Sequence, residues 1–321
     1  MADKQSNLLT NDPTVSIIMN CLNGEKYLRE AIDSVFGQTF DDWEIIFWED
    51  VDSTDSSGDI AKSYGSKLRY FKADEKLPLY GARNLALQKA RGKFIAILDC
   101  DDLWLPTKLE EQIPLFEEDS EVGLVCSDAI LFDEKGKEKR LFAFKKPRRG
   151  NLFPELLMNH FIIISAAVVR KKAFDSLDFW FDSRLKMTGD TDAWRRISYK
   201  WKNDYIDKPL VKYRIHNNNM TWNEGRKLAA LEADLTIENL KKTIHKFESK
   251  YPDIIRILER KRDVNFSLLD WERGNKKTAR KRVRRYMHDS IIHFVLYFLM
   301  YLPYKFTFYP CYRLYNKDIL K

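Results

Sequence analysis

The chain has 321 residues, 44% of them hydrophobic and 13% aromatic, with 55 Lys and Arg against 48 Asp and Glu for a formal charge of +7. This composition excludes global disorder and allows one large or two ordinary domains with a sizeable core. The positive charge belongs to one segment: residues 241–288 carry 16 Lys and Arg against 6 Asp and Glu, and the rest of the chain is slightly acidic.

Met1 to Pro13 is polar and has no secretory pattern. Val15 to Met19 reads as a short apolar strand, followed by a turn at Asn20-Cys21-Leu22-Asn23-Gly24. Tyr27, Leu28, Ala31, Ile32, Val35 and Phe36 recur at helical spacing up to Gly37. Glu44 to Trp48 is a second strand ending in Glu49-Asp50, and Ser53 to Ser57 supplies N-cap residues for a helix near 57–64. Leu68 to Phe71 is a third strand, Gly81 to Ala90 a helix stopped near Gly92, and Phe94 to Leu98 a fourth strand ending in Asp99, Asp101 and Asp102. A buried strand does not hold three unpaired carboxylates, so these acids belong at its exposed end, where two of them one residue apart can hold a hard divalent cation. Strands alternating with helices predict parallel pairing with helices on both faces. In such sheets ligands collect at the carboxyl ends of strands, here the ends carrying Asn20, Asp50 and Asp99/Asp101.

Farther on, Val122 to Cys126 and Ile162 to Val169 are apolar runs predicted as strands. Between them Glu134 to Gly150 holds Lys135, Lys137, Lys139, Arg140, Lys145, Lys146, Arg148 and Arg149. It reads as a mobile, solvated loop or hairpin, or as a surface that meets an anionic acceptor such as a lipid diphosphate. Past Trp222 the pattern turns helical: Leu228, Leu231, Leu235 and Leu240, then Phe266, Leu269 and Trp271 up to Gly274, then the stripe Ala279, Val283, Tyr286, Met287 opposite a basic face. Ile291 to Leu302 is apolar and aromatic but shorter than the ~20 residues needed to span a bilayer. Aromatics continue to Tyr315. A basic helix followed by such a stretch fits a segment lying on an anionic membrane, or one packed on the rest of the protein or a second subunit.

The stretch Val15-Ser-Ile-Ile-Met-Asn-Cys-Leu-Asn23, Gln38-Thr-Phe40 and Trp43 to Asp55 resembles the start of a family-2 glycosyltransferase of the GT-A fold. So do Ala82 to Pro106, Thr188-Gly-Asp-Thr-Asp-Ala-Trp-Arg195 and Tyr213-Arg-Ile-His-Asn-Asn-Asn-Met-Thr221. The resemblance covers about 13–222 and implies a GT-A catalytic domain there: a Rossmann-like mixed, mostly parallel sheet with flanking helices, followed by a helical extension over 223–321. By position it implies that Asp50 reads the nucleobase, with Asn20 and Asn23 nearby on the first strand's turn. It implies Asp101 as main metal ligand, Asp99 on the ribose or the metal, and Arg83 and Asn84 beside the diphosphate or uridine. His216 would close over the diphosphate or metal, and Asp190 would be the general base, with Asp192 its rival. Asp102 is the adjacent acid, and Asp128 is a candidate for the acceptor side. Trp104 and Trp194 read as packing. Three positions depart from the family pattern: Leu22 replaces an aromatic, Glu49-Asp50-Val51-Asp52 replaces Asp-Asp-Gly-Ser, and Gly189 replaces the acid before Asp190.

The implied activity is an inverting, Mn²⁺- or Mg²⁺-dependent transfer of a sugar from a nucleotide sugar, a UDP-sugar, to a saccharide or lipid-linked saccharide in cell-surface polysaccharide synthesis. The alternatives are a nucleotidyltransferase, a transferase acting on protein, or a weakened scaffold that binds without turnover. Nucleic acid is not an expected partner. Cys21, Cys100, Cys126 and Cys311 show neither paired nor metal-type spacing, which points to a reducing cytoplasm. Together with the C-terminal segment this predicts a cytoplasmic protein, peripheral on the inner face of the membrane.

Overall fold

The structure, a computed structural model, describes residues 12–142, 147–159, 161–304, 306 and 307, without the side chains of 222, 223 and 226. Lys145, Lys146, Cys311, the polar start through residue 11 and the aromatics from residue 308 to Tyr315 lie outside the described residues.

Strands β1 (Val15–Cys21), β2 (Trp43–Glu49), β3 (Leu68–Lys72) and β4 (Phe94–Ile97) pair in parallel in the order β3-β2-β1-β4. Their side chains alternate between two cores. Val15, Ile17, Met19, Phe94 and Ala96 face one; Ile18, Ile46, Ile95 and Ile97 face the other. Burial on both faces explains why these strands read as unbroken apolar runs. Helix α1 (Glu25–Phe36) covers the first face with Leu28, Ala31, Ile32 and Val35, beside the short α2 (Ser57–Lys62). Helix α3 (Leu79–Gln88) covers the second face, starting two residues before its predicted position.

Beyond β4 the sheet is mixed. The short β5 (Leu103–Trp104) leads into α4 (Lys108–Glu118), which joins the first face. β6 (Val122–Asp133) runs well past the predicted strand because a register shift at Ser127–Ala129 carries it on beside its neighbour. β7 (Glu138–Arg140) returns antiparallel along it. Helix α5 (Phe153–Met158) follows, and the predicted strand at 162–169 divides into a 3₁₀ turn, Ile164–Ala166, and β8 (Ala167–Arg170). Helices α6 (Lys171–Asp175) and α7 (Gly189–Lys200) pack on the second face, where Trp194 fills core. β9 (Lys202–Ile215) completes the order β4-β8-β6-β9-β5. Its many charges and Pro209 hide it from a reading based on apolar alternation.

The C-terminal helices are α8 (Met220–Thr243), α9 (Phe247–Lys250), α10 (Pro252–Glu272), α11 (Lys276–Val283) and α12 (Ile291–Leu299). Ile237, Leu240, Ile244 and Leu258 pack on Phe153 and Leu157 of α5, so α8 and α10 share a core with the sheet-bearing part. Gly274, with φ +86°, ends α10 where the sequence placed its stop. Trp271, Ala279, Val283, Leu296 and Met300 form a separate cluster. Leu231, one of the leucines at helical spacing, is exposed. Among the described residues no helix is long and apolar enough to cross a membrane.

Candidate active site

The strand order decides which ends meet. Because β2 and β4 flank β1 in parallel, Asn20, Asp50 and Asp99 arrive at one sheet edge. The Asp50 N–H donates to Cys21 O, and the Leu98 N–H donates to Ile18 O, so the three ends are laced together up to the last residue. Asp50 Oδ1 accepts from the Asp52 N–H at 2.9 Å. Both polar atoms of the Asn20 amide are buried without a partner, which in a folded protein marks a place where a ligand or water belongs. Asn23, at φ 52°, instead ties two loops together: its Oδ1 accepts from the Thr54 N–H at 2.8 Å and its N–H donates to Ser53 Oγ at 3.2 Å. Leu22, in place of the family's aromatic, is 56% exposed.

Asp99, Asp101 and Asp102 bring carboxylate oxygens within 4.8 Å of one another. Their environments differ. Asp102 is fully buried, with one oxygen accepting from Ser165 Oγ at 2.6 Å and the other from the Arg214 N–H at 3.0 Å. Burial, with Asp101 and Asp99 close by, pushes its carboxyl well above the usual range. Asp99 pairs with the buried Arg83. Burial pushes the Asp99 carboxyl up, Arg83 opposes this, and Asp101 and Asp190 add to it, for a net upward direction. Asp101 is 31% exposed and meets His216 Nε2 at 2.9 Å and Asn219 Nδ2 at 3.4 Å. His216 Nδ1 accepts from the Asn218 N–H at 3.2 Å, which leaves Nε2 as the ring nitrogen that donates to Asp101. Tyr27 lies against the same ring, with centroids 5.3 Å apart.

An all-oxygen set with Asp101 facing the cleft and one oxygen of Asp99 not committed to Arg83 fits a hard divalent cation. Asp102, with both oxygens spent, fits as a support for the turn. Ligation through His216 Nε2 requires its proton to move to Nδ1 and the Asn218 hydrogen bond to break.

Asp190 stands in the first turn of α7, across from these acids. Its Oδ1 accepts from the Thr191 N–H at 2.7 Å and from the Tyr80 hydroxyl at 3.3 Å. The single Tyr80 hydroxyl hydrogen is shared between Asp190 and the nearer Met187 O at 2.8 Å, and the Tyr80 ring lies 5.2 Å from the Arg83 guanidinium, so one buried side chain stands between Asp190 and the Arg83–Asp99 pair. Tyr80 also explains Gly189: a Cβ there would sit 2.6 Å from the Tyr80 ring, so no acid fits at this position. The loop before α7 is held from the C-terminal helices. Glu232 of α8 accepts from the N–H groups of Lys186 at 2.8 Å and Thr188 at 2.9 Å, from the Thr188 hydroxyl at 2.7 Å, and from the Met187 N–H.

Three predicted residues are not brought into the cleft. Asn84 spends its amide on Phe181, donating to the carbonyl at 2.8 Å and accepting from the N–H at 3.1 Å. Asp192 is fully buried, paired with Arg196 at 2.8 Å, which removes it from reach of any acceptor. Asp128, also fully buried, accepts from the Phe142 and Ala129 N–H groups and pairs with Arg140 at 2.6 Å; it closes the β6–β7 hairpin instead of lining an acceptor site. In the described part of the basic segment, Arg140 also meets Asp207 at 3.2 Å, and Arg149 meets Asp204 at 3.1 Å. Tyr80, Ser165 and Glu232 were missed. Ser165, a lone polar residue in an apolar run, and Glu232, an acid inside an apolar helical stripe, were the available signals.

The profile of glycosyl transferase family 2 matches residues 16–178. Over 210 residues the chain is 33% identical to an uncharacterized glycosyltransferase of Methanocaldococcus jannaschii, covering 64% of this chain and 72% of that protein. Over 105 residues, 33% of this chain and 42% of the other, it is 37% identical to the Escherichia coli UDP-Glc:alpha-D-GlcNAc-diphosphoundecaprenol beta-1,3-glucosyltransferase WfgD. S. aureus TarS 1–349 in complex with UDP superposes with a TM-score of 0.53 at 16% identity, over 84% of this chain and 87% of that one. The mannosyltransferase PcManGT from Pyrobaculum calidifontis, in complex with GDP-Man and Mn²⁺, superposes at 0.58 and 15% identity, over 92% and 83%. At these identities the structures share the fold, the GT-A arrangement of a mixed sheet with flanking helices.

Proposed function

This chain belongs to glycosyl transferase family 2 and is a glycosyltransferase, and we propose that it moves a sugar from a nucleoside diphosphate sugar, a UDP-sugar, to a hydroxyl of a saccharide or lipid-linked saccharide, with inversion, in cell-surface polysaccharide synthesis. The observation that carries this reading is the carboxylate pair Asp99 and Asp101 at the end of β4, on the same sheet edge as Asp50 and the unpartnered amide of Asn20. The similarity to WfgD, whose name states a UDP-Glc donor and a lipid-diphosphate acceptor, supports the donor and acceptor classes.

In this reading Asp101 and Asp99 would hold Mn²⁺ or Mg²⁺, with His216 beside them. A divalent cation bound there would supply neutralisation of the charge that builds on the leaving diphosphate. Asp50 accepts from a pyrimidine N–H, Asn20 satisfies its amide on the nucleotide, and Asn23 keeps the two loops around them in place. Arg83 holds Asp99 in position. Asp190 takes the proton from the acceptor hydroxyl as that oxygen attacks the anomeric carbon on the face opposite the leaving group, so a single displacement inverts the centre. The exposed apolar residues of α12 beside the basic α11 support contact with an anionic membrane surface.

Thermal unfolding against a panel of nucleoside diphosphates, with and without Mn²⁺, tests the donor site. At about 100 times its dissociation constant a ligand adds ~2.7 kcal/mol, a shift of a few degrees. The expected result is a shift with UDP that requires Mn²⁺ and disappears in Asp101→Ala. No shift with any nucleotide would overturn the reading.

A further inference from the structure

A cavity of about 310 Å³ opens between α7, α8 and α10, at the small end of the range for ligand pockets. Asp190, Arg195, Lys261 and Asn265 are among the residues that line it. Nothing in the donor chemistry uses these cations. Arg195 Nε donates to Leu156 O at 2.8 Å, and Lys261 Nζ donates to Met158 O. These bonds cap the last carbonyls of α5, and neither cation has a carboxylate within ion-pair distance among the described residues. Arg262, which also lines the cavity, is by contrast spent on Asp234 and on Asp263 at 3.1 Å.

Two like charges thus line one cavity, each donating to a backbone carbonyl, with Arg195 half-buried and Lys261 exposed at the rim. Burial pushes Arg195 down to about 10, against the pull of Asp192 and Asp190. Burial, then Arg195 and Arg260, push Lys261 down as well. Capping accounts for one hydrogen bond from each side chain. It leaves each cation with N–H groups to spare and no carboxylate within ion-pair distance among the described residues, so an anion in the cavity finds two charged donors. The basic hairpin is a weaker candidate for the same task, because Arg140 and Arg149 are already paired with carboxylates.

We propose that this cavity is an anion subsite for the acceptor: Lys261 and Arg195 hold a phosphoryl or diphosphoryl group of the acceptor, and Asp190 at the cavity wall meets its hydroxyl. The inference rests on the acceptor class of the preceding reading and gives the C-terminal helices a part in substrate binding, since Lys261 comes from α10. A diphosphate could also settle at the donor site, and the test separates the two.

The experiment titrates geranyl diphosphate and inorganic pyrophosphate calorimetrically into the full chain in EDTA, where a donor site that depends on a divalent cation is silent. The proteins are wild type, Lys261→Gln, Lys261→Arg, Asn265→Asp and Asp101→Ala. Losing one charge-assisted hydrogen bond weakens binding by about 10- to 100-fold. Lys261→Gln is expected to do so, Lys261→Arg to restore most of the affinity, and Asp101→Ala to bind like wild type. Asn265→Asp keeps the side chain's shape and the α5 caps while adding a negative charge to the cavity, so it separates anion binding from folding, and weakened binding is expected. Wild type that binds neither anion would overturn the inference. So would equal binding by Lys261→Gln and Asn265→Asp, or loss of binding in Asp101→Ala. UDP with Mn²⁺, run on the same proteins, reports the donor site separately: normal UDP binding with no anion binding sinks the subsite alone, and absent UDP binding in wild type sinks the donor reading.

Discussion

At the scale of single residues, the two halves of the chemistry sit on acids with different surroundings. Asp190 lies in the first turn of a helix and lines the cavity. Asp190→Asn keeps the shape and the Tyr80 contact but cannot take a proton. It is expected to lower kcat by ~10²–10⁴-fold while leaving UDP affinity unchanged. Turnover equal to wild type would remove Asp190 as base. Another acid reports on stability. Burial alone would raise the Asp182 carboxyl, but Arg184 at 2.7 Å and Asn239 at 3.0 Å outweigh it and hold it at about 2. A carboxylate whose folded value is depressed stabilises the protein above its unfolded value, ~3.9, and loses that contribution as the pH falls toward 2. The stability difference between wild type and Asp182→Asn, measured by urea unfolding, is therefore expected to be full at pH 7 and about half as large at pH 3. A difference that stays constant with pH would remove the ion pair as its cause.

At the scale of elements, the C-terminal helices brace the catalytic acid. Helix α7 begins where Gly189 lets the Tyr80 ring pack against backbone, a close approach that only glycine allows. The loop before it is fastened by Glu232, which by sequence distance belongs to the extension. Glu232→Ala leaves the Lys186, Met187 and Thr188 N–H groups without their acceptor. At ~1–3 kcal/mol for a fully buried group left unpaired, and less for these partly buried ones, a loss on the order of 2 kcal/mol is expected in all, with a fall in kcat as Asp190 shifts. Denaturant melts and steady-state rates on the same preparation check both, and unchanged values would show that the loop holds its place without α8.

At the scale of the whole molecule, the outer surface of the C-terminal helices is unlike the rest. Ile291 and Ile292 are 77% and 73% exposed, and Phe294, Val295 and Phe298 follow on the same helix. Next to them, Lys277, Lys281, Arg284 and Arg285 are exposed, so an apolar strip and a positive one adjoin. Ile291→Asn with Ile292→Asn removes apolar surface without touching the core. In flotation with anionic vesicles the variant is expected to stay largely unbound while wild type floats. Equal flotation of the two proteins, or none by wild type, would leave α12 without a membrane role.

By itself the sequence determined the parallel half of the sheet, the acids at the end of β4, the family and the helical character of the C-terminal part. Each is written in local periodicity, or in motifs whose chemistry needs neighbouring residues: unbroken apolar runs for strands buried on both faces, and carboxylates at a strand's end because its middle cannot hold them. Only the tertiary structure decided which acids stay open to a ligand. Asp101, Asp102, Asp190 and Asp192 look alike in sequence, yet Asp102 is taken by Ser165 and Arg214, 63 and 112 positions away, and Asp192 is buried where Asn239, 47 positions away, joins the one-turn pair with Arg196. It likewise decided that Asn84 faces Phe181 and that Lys261 and Arg195 face one cavity. Whether a polar side chain is spent or available depends on what the fold places within about 3 Å of it, and local spacing along the chain carries no record of that.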